Sequence, residues 1–165
     1  MKKRTLAIII IPIILLFGMY KFARMLSPGS YPFAEEYELN YSEAEVKMAI
    51  HKLKEKYPEY KTPKVSIENQ NSFALPDHQT ENPSYWYIAY FYMKKENSIF
   101  YTYTRSNGKN KTTFAFVSIN NSLNIGNWKI INDDFGYFEN RKLKKQFEEN
   151  ILAKLKLILQ NLGSS

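Results

Sequence analysis

Apolar residues are distributed along this chain in three distinct patterns. From Leu6 to Tyr20 they run almost without interruption, from Val46 to Leu53 and along Leu143 to Leu162 they recur at three- and four-residue spacing, and between Ser84 and Asn132 they form short aromatic and β-branched runs. Each pattern predicts a different kind of element: a helix apolar all round, helices apolar on one stripe, and strands.

The leading run is preceded by Lys2, Lys3 and Arg4 and closed by Lys21 and Arg24. As a helix, Thr5 to Tyr20 spans only about 24 Å, against a hydrocarbon core of about 30 Å. If Lys21 and Arg24 lay their stems along the apolar surface, the span reaches Leu26, about 33 Å, and fits with modest tilt. Leu6, Ile8 to Ile11 and Ile13 to Phe17 favour insertion by roughly 3–6 kcal/mol. Pro12 removes one helical bond, a loss that spanning helices commonly absorb. A cleaved signal peptide is the competing reading, but small residues at a cleavage spacing first occur at Ser27 and Gly29, beyond two cations. A retained anchor over residues 1–26 is therefore expected. The basic excess before the run places the N-terminus in the cytoplasm and the rest of the chain outside it.

Residues 27–40 read as a tether. Ser27-Pro28-Gly29-Ser30 cannot continue a helix, and Pro32 with Glu35, Glu36 and Glu38 predicts an extended, solvated segment. A single domain over 41–165 follows. Ser42 with Glu45 forms a capping box and Tyr41 can staple onto Val46, so a helix is expected from Glu43 to Tyr57, with Val46, Ala49, Ile50 and Leu53 inward and Pro58 ending it. Pro58 to Ser84 is irregular, with only Val65 to Glu68 strand-like. Strands are expected at Ser84–Met93, Ile99–Thr104, Thr112–Ile119 and Trp128–Asn132. A long helix from Asn140 to Leu162 closes the chain, with Leu143, Phe147, Ile151, Leu155, Ile158 and Leu162 on its stripe and a basic start at Arg141, Lys142, Lys144 and Lys145. The predicted fold is α+β: an N-terminal transmembrane helix, then one helix, an antiparallel meander of four to five strands and a long C-terminal helix.

Hairpin turns allow the faces of the meander to be predicted. If Asn107-Gly108 and Glu96-Asn97 are two-residue loops, one face carries Trp86, Ile88, Tyr90, Tyr92, Ile99, Tyr101, Tyr103, Phe114 and Phe116. The other carries Ala89, Phe91, Met93, Phe100, Ala115, Val117 and Ile119. The second face is wholly apolar and suits helix packing. The first is rich in tyrosines, whose hydroxyls need water or a partner, so Trp86, Tyr90, Tyr92, Tyr101 and Tyr103 are the candidate binding residues. Ordinary packing with hydroxyls at the rim is the competing reading. A loop of odd length would reverse the assignment.

Charge narrows the function classes. The chain has a net charge of +7, with 23 basic and 16 acidic residues. Five basic residues lie at or before Arg24 and every acid lies after it, so the 18 basic residues of the remainder leave it at only +2. Such a domain lacks the field expected of a nucleic-acid surface. The chain has no cysteine, which excludes disulfides, a thiolate nucleophile and cysteine metal ligands. His51 lies off the apolar stripe, and His78 follows Asp77 in the irregular loop. Asp134-Phe135-Gly136 spells a kinase tripeptide without any accompanying kinase pattern. No catalytic residue, metal ligand or cofactor site is expected.

These features favour a single-pass, membrane-anchored interaction module at the periplasmic or outer face of the cell membrane. It would meet the bilayer through residues 5–26 and a protein or peptide partner through the aromatic face, without nucleic acid or a small-molecule cofactor. An envelope-accessory or immunity-like role is compatible with this layout. The alternative is a small membrane-tethered enzyme with a site around Asp77 and His78 together with Asp133 and Asp134, which requires the fold to bring those residues together.

Overall fold

The computed structural model describes residues 12, 15, 18, 19, 31–68, 71–81 and 85–163. The chain divides into two compact units, Met1–Pro32 and Phe33–Ser165. Most of the expected anchor lies outside the described residues; within it Pro12, Leu15, Gly18 and Met19 are helical. Among the described residues, no helix is long and apolar enough to cross a membrane.

The second unit is an α+β domain. Its strands are β1 (Glu35–Leu39), β2 (Ser66–Ile67), β3 (His78–Gln79), β4 (Tyr87–Met93), β5 (Ser98–Ser106), β6 (Thr112–Asn120), β7 (Asn124–Ile125) and β8 (Lys129–Ile130). The main sheet is antiparallel in the order β1-β6-β5-β4-β3, and β8 pairs with β6 beside β1. β2 and β7 form a separate parallel pair. Helix α1 (Glu43–Lys56) follows β1, and the C-terminal helix runs as α2 (Tyr137–Phe147), a π-turn (Glu148–Leu152) and α3 (Ala153–Leu162).

Helix α1 follows its local code. The Ser42 hydroxyl accepts from the Glu45 amide at 3.3 Å, and the Glu45 carboxylate accepts from the Ser42 amide at 2.7 Å. The Ser42 hydroxyl also donates to the Glu45 carboxylate at 2.6 Å, and this bond, with that from the Ser42 amide, holds the Glu45 carboxyl below the usual carboxylate range. Val46, Ala49, Ile50 and Leu53 are buried, as the stripe requires; so is Lys54.

β1 corrects the expected tether. Glu35, Tyr37 and Leu39 alternate with the more exposed Glu36 and Glu38. The inward set meets the C-terminal helix: Lys144 binds Glu35 at 3.1 Å, and the Tyr37 ring stacks on Phe147 at 5.6 Å. Acidic residues at 35, 36 and 38 hide this period-two signal, yet charge on an edge strand also opposes unwanted strand pairing. The C-terminal helix likewise starts earlier than expected, at Tyr137. Glu139 therefore stands in its first turn, and the Arg141–Lys145 cluster lies deeper in the helix, where it opposes the dipole less.

The predicted sheet faces are half right. The β4–β5 turn contains four residues rather than two, which slips the register by two and preserves parity: Tyr90 opposes Tyr101 and Tyr92 opposes Ile99. The β5–β6 turn spans 107–111, with Ser106 opposite Thr112. Gly108 has φ +122°, but Asn107 does not adopt the positive φ of the expected tight turn. The three extra residues reverse parity, so Phe114 and Phe116 join Phe91 and Phe100 in the helix-facing core, while Ala115 moves to the tyrosine face. A bulge at Val117 then restores the original alternation, returning Ile119 to the core as expected. Packing decides the matter. The Phe147 ring lies parallel to Phe116 at 4.6 Å and within 5.5 Å of Phe114, burial that the tighter turn would forfeit.

The π-turn has a similar cause. Leu143, Phe147, Ile151 and Leu155 are spaced by four, and in an α-helix each such step overshoots the face by roughly 40°. A π-turn rotates less per residue and cancels the drift. Phe147, Ile151, Leu152, Leu155 and Leu159 are consequently all buried.

Candidate functional site

The sheet face opposite the helices carries the candidate binding residues, and the irregular segments fold over part of it. The Tyr90 and Tyr101 rings lie 5.5 Å apart, and Trp128 packs against both, at 6.2 and 5.9 Å. With Leu75, Ser118 and Ile125 these three rings line a cavity of 350 Å³. Trp86 packs edge-on to Tyr103 at 6.3 Å, away from this notch. Trp86, Tyr90 and Tyr103 are buried, whereas Tyr92 and Tyr101 are partly exposed. The Tyr103 hydroxyl donates to Glu36 at 2.8 Å, and that of Tyr92 to Asn97 at 2.9 Å. The five residues therefore do not form one open surface. Tyr90 and Tyr101 converge on the notch; Trp86, Tyr92 and Tyr103 do not line it.

Two supports shape the notch. Asn120 anchors the loop that delivers Trp128: its amide donates to the carbonyls of Ser122 and Asn124 at 2.8 and 3.2 Å and accepts from the Asn127 amide at 3.2 Å. On the opposite side, β3 pairs with only Tyr87 and Ile88 of β4 and does not extend to Tyr90. Side chains replace the missing strand. The Tyr90 amide donates to Asp77 at 2.9 Å, and the Lys54 ammonium donates to the Tyr90 carbonyl at 2.7 Å and to Asp77 at 2.6 Å. Burial holds the Lys54 ammonium below the usual lysine range, with the charge of Asp77 opposing the shift. Burial and the Asp77 charge also push the Tyr87 phenol up to about 12.

This arrangement assigns Asp77 a supporting role. His78 turns its Nδ1 toward the Pro76 carbonyl at 3.1 Å and stacks on Tyr90. Asp134 accepts from the Ile130 amide at 2.6 Å, closing the turn after β8. Since β8 and β3 lie on opposite sides of the main sheet, Asp77 and His78 do not meet Asp133 and Asp134. The proposed acid/base pairing is not assembled. Among the described residues, no cluster of histidine and carboxylate side chains could hold a metal ion.

Larger grooves exist, of 650 Å³ between α1 and α3 and 630 Å³ beside the π-turn. The first has Lys52, Glu55 and Lys56 on one half of its lining, and the second sets Tyr60 and Tyr92 among lysines and glutamates, whereas the notch brings three aromatic rings together. Sequence reasoning missed Trp128 as a site residue because nothing local brings it to Tyr90. Lys54 was more legible: it lies four residues after Ile50 on the buried stripe, and an inward lysine requires a carboxylate. No family model matches the chain, and comparison with curated proteins and with solved structures returns no match.

Proposed function

We propose that this chain is a single-pass, membrane-anchored, extracytoplasmic binding module whose aromatic notch receives an apolar side chain of a protein or peptide partner. The observation that carries the reading is the 350 Å³ cavity lined by Tyr90, Tyr101 and Trp128. Its size lies at the small end of ligand sites and suits one or two side chains rather than a cofactor. Aromatic walls supply large apolar area with little entropy to lose, the usual composition of an interface anchor point. The anchor reading draws support from the basic-flanked apolar run and from Leu15 and Met19, which are helical and respectively 60 % and 67 % exposed. Such exposure of apolar groups suits lipid contact. An envelope-accessory or immunity-like role fits this placement.

A photoreactive amino acid at Trp128 in the full-length membrane protein tests the binding reading. A discrete crosslinked species is expected there and not from Lys109 on the β5–β6 turn. Ser118→Phe, which fills the notch, should abolish that species while leaving the far-ultraviolet spectrum of the fold unchanged. An adduct that survives Ser118→Phe would refute notch binding.

A further inference from the structure

The domain's most exposed aromatic pair has no place in the notch. Tyr137 and Phe138, at the start of α2, are 73 % and 83 % exposed. Their rings pack edge-on against each other at 5.3 Å. Arg141 and Lys142, three to five residues onward, are exposed on the adjacent turn. Large aromatics left in water beside cations are the composition of a membrane-interface segment, where rings settle at headgroup level and cations meet phosphates.

The position of this patch within the domain is informative. From the same helix, Asn140 donates to Asn132 at 2.7 Å and Lys144 binds Glu35 at 3.1 Å, while Asn132 donates to the Phe33 carbonyl at 2.9 Å. The patch thus belongs to the corner where the chain enters the domain. Only six residues lie between Leu26, where the expected anchor ends, and Phe33, a reach of at most roughly 25 Å over seven steps of the chain. Four side chains fall well short of the roughly 20–30 residues a side that a stable protein interface uses. Beside a bilayer the patch needs little intrinsic affinity, because the anchor supplies a high effective concentration.

We infer that Tyr137, Phe138, Arg141 and Lys142 form a second membrane contact, which seats the domain on anionic phospholipid headgroups. This rests on the anchor reading. The consequence is a fixed orientation: the domain sits with its chain-entering corner down instead of tumbling at the end of a leash.

The absence of cysteine makes the test direct. Full-length Glu139→Cys and Lys109→Cys proteins are spin-labelled and reconstituted in vesicles of phosphatidylcholine with and without phosphatidylglycerol. With phosphatidylglycerol, collisions of the label at 139 with an aqueous nickel chelate should fall at least roughly threefold relative to 109, while collisions with oxygen rise, the signature of a lipid environment. Tyr137→Ser with Phe138→Ser should return the label to the values at 109, and Arg141→Gln with Lys142→Gln should remove the dependence on phosphatidylglycerol. Equal nickel access at 139 and 109 in vesicles that retain the protein through alkaline carbonate would overturn the contact and leave the anchor standing. A fall in both collision rates would mean protein contact and overturn it as well. Release of the protein by carbonate would end the anchor reading, and the second contact with it.

Discussion

Lys54 and Asp77 show how one buried pair substitutes for a missing strand. Their side chains are 10 % and 17 % exposed, so neither charge is well solvated without the other. Asp77→Asn keeps an acceptor for the Tyr90 amide but strands the ammonium, and should cost about 3 kcal/mol. Lys54→Met with Asp77→Asn should recover more than half of that loss, since the desolvated charge is gone. Urea unfolding midpoints check both; a double variant no better than the single would mean that the charge was not the source. Asn132 is the second residue of this kind. It adopts φ +65° and bonds Phe33, Glu35 and Asn140 at once. Asn132→Ala should cost about 2 kcal/mol, and Asn132→Gly should restore about half of it by relieving the backbone while leaving the bonds unmade. Neither role is visible locally, because a lysine or an asparagine does not announce its distant partner. Only the helical spacing of Lys54 gave warning.

Elements are most legible where their signals are short-range. The capping box of α1 needs only Ser42 and Glu45, and its chemistry makes a pH prediction. Glu45 is more acidic when folded, so its bonds to Ser42 stabilise the protein above the unfolded value near 4.5 and cease to do so as pH falls through the lowered folded value. Ser42→Ala should lower Tm by about 3 °C at neutral pH, and the gap from wild type should narrow as the solution is acidified below 4.5. A gap independent of pH would show that Glu45 takes no part. The strands of the meander were equally legible in kind, but their faces were not. A hairpin turn codes parity through its length, and Asn107-Gly108 can open either a two-residue turn or a longer one. The π-turn likewise left only a faint trace, four-residue spacing sustained over Leu143 to Leu155.

At the scale of the whole domain, one ring joins the layers. Phe147 meets Tyr37, Phe100, Phe114 and Phe116, and so ties the C-terminal helix to β1, β5 and β6. Phe147→Ala should destabilise the domain by about 3–5 kcal/mol, with loss of near- and far-ultraviolet signals in a single transition. Separate transitions would show that the helix docks independently of the sheet. The amino-acid sequence by itself determined the α+β class, the two helices, the three central strands and the contrast between a tyrosine face and an apolar face. All of these follow from periodicity and capping, which act within a few residues. Tertiary structure alone decided that Glu35–Leu39 is an edge strand, that Phe114 and Phe116 turn toward the helices, and that Trp128 closes on Tyr90 and Tyr101. These outcomes depend on which surfaces remain to be buried once the other elements are in place, a quantity that no local stretch of the chain contains.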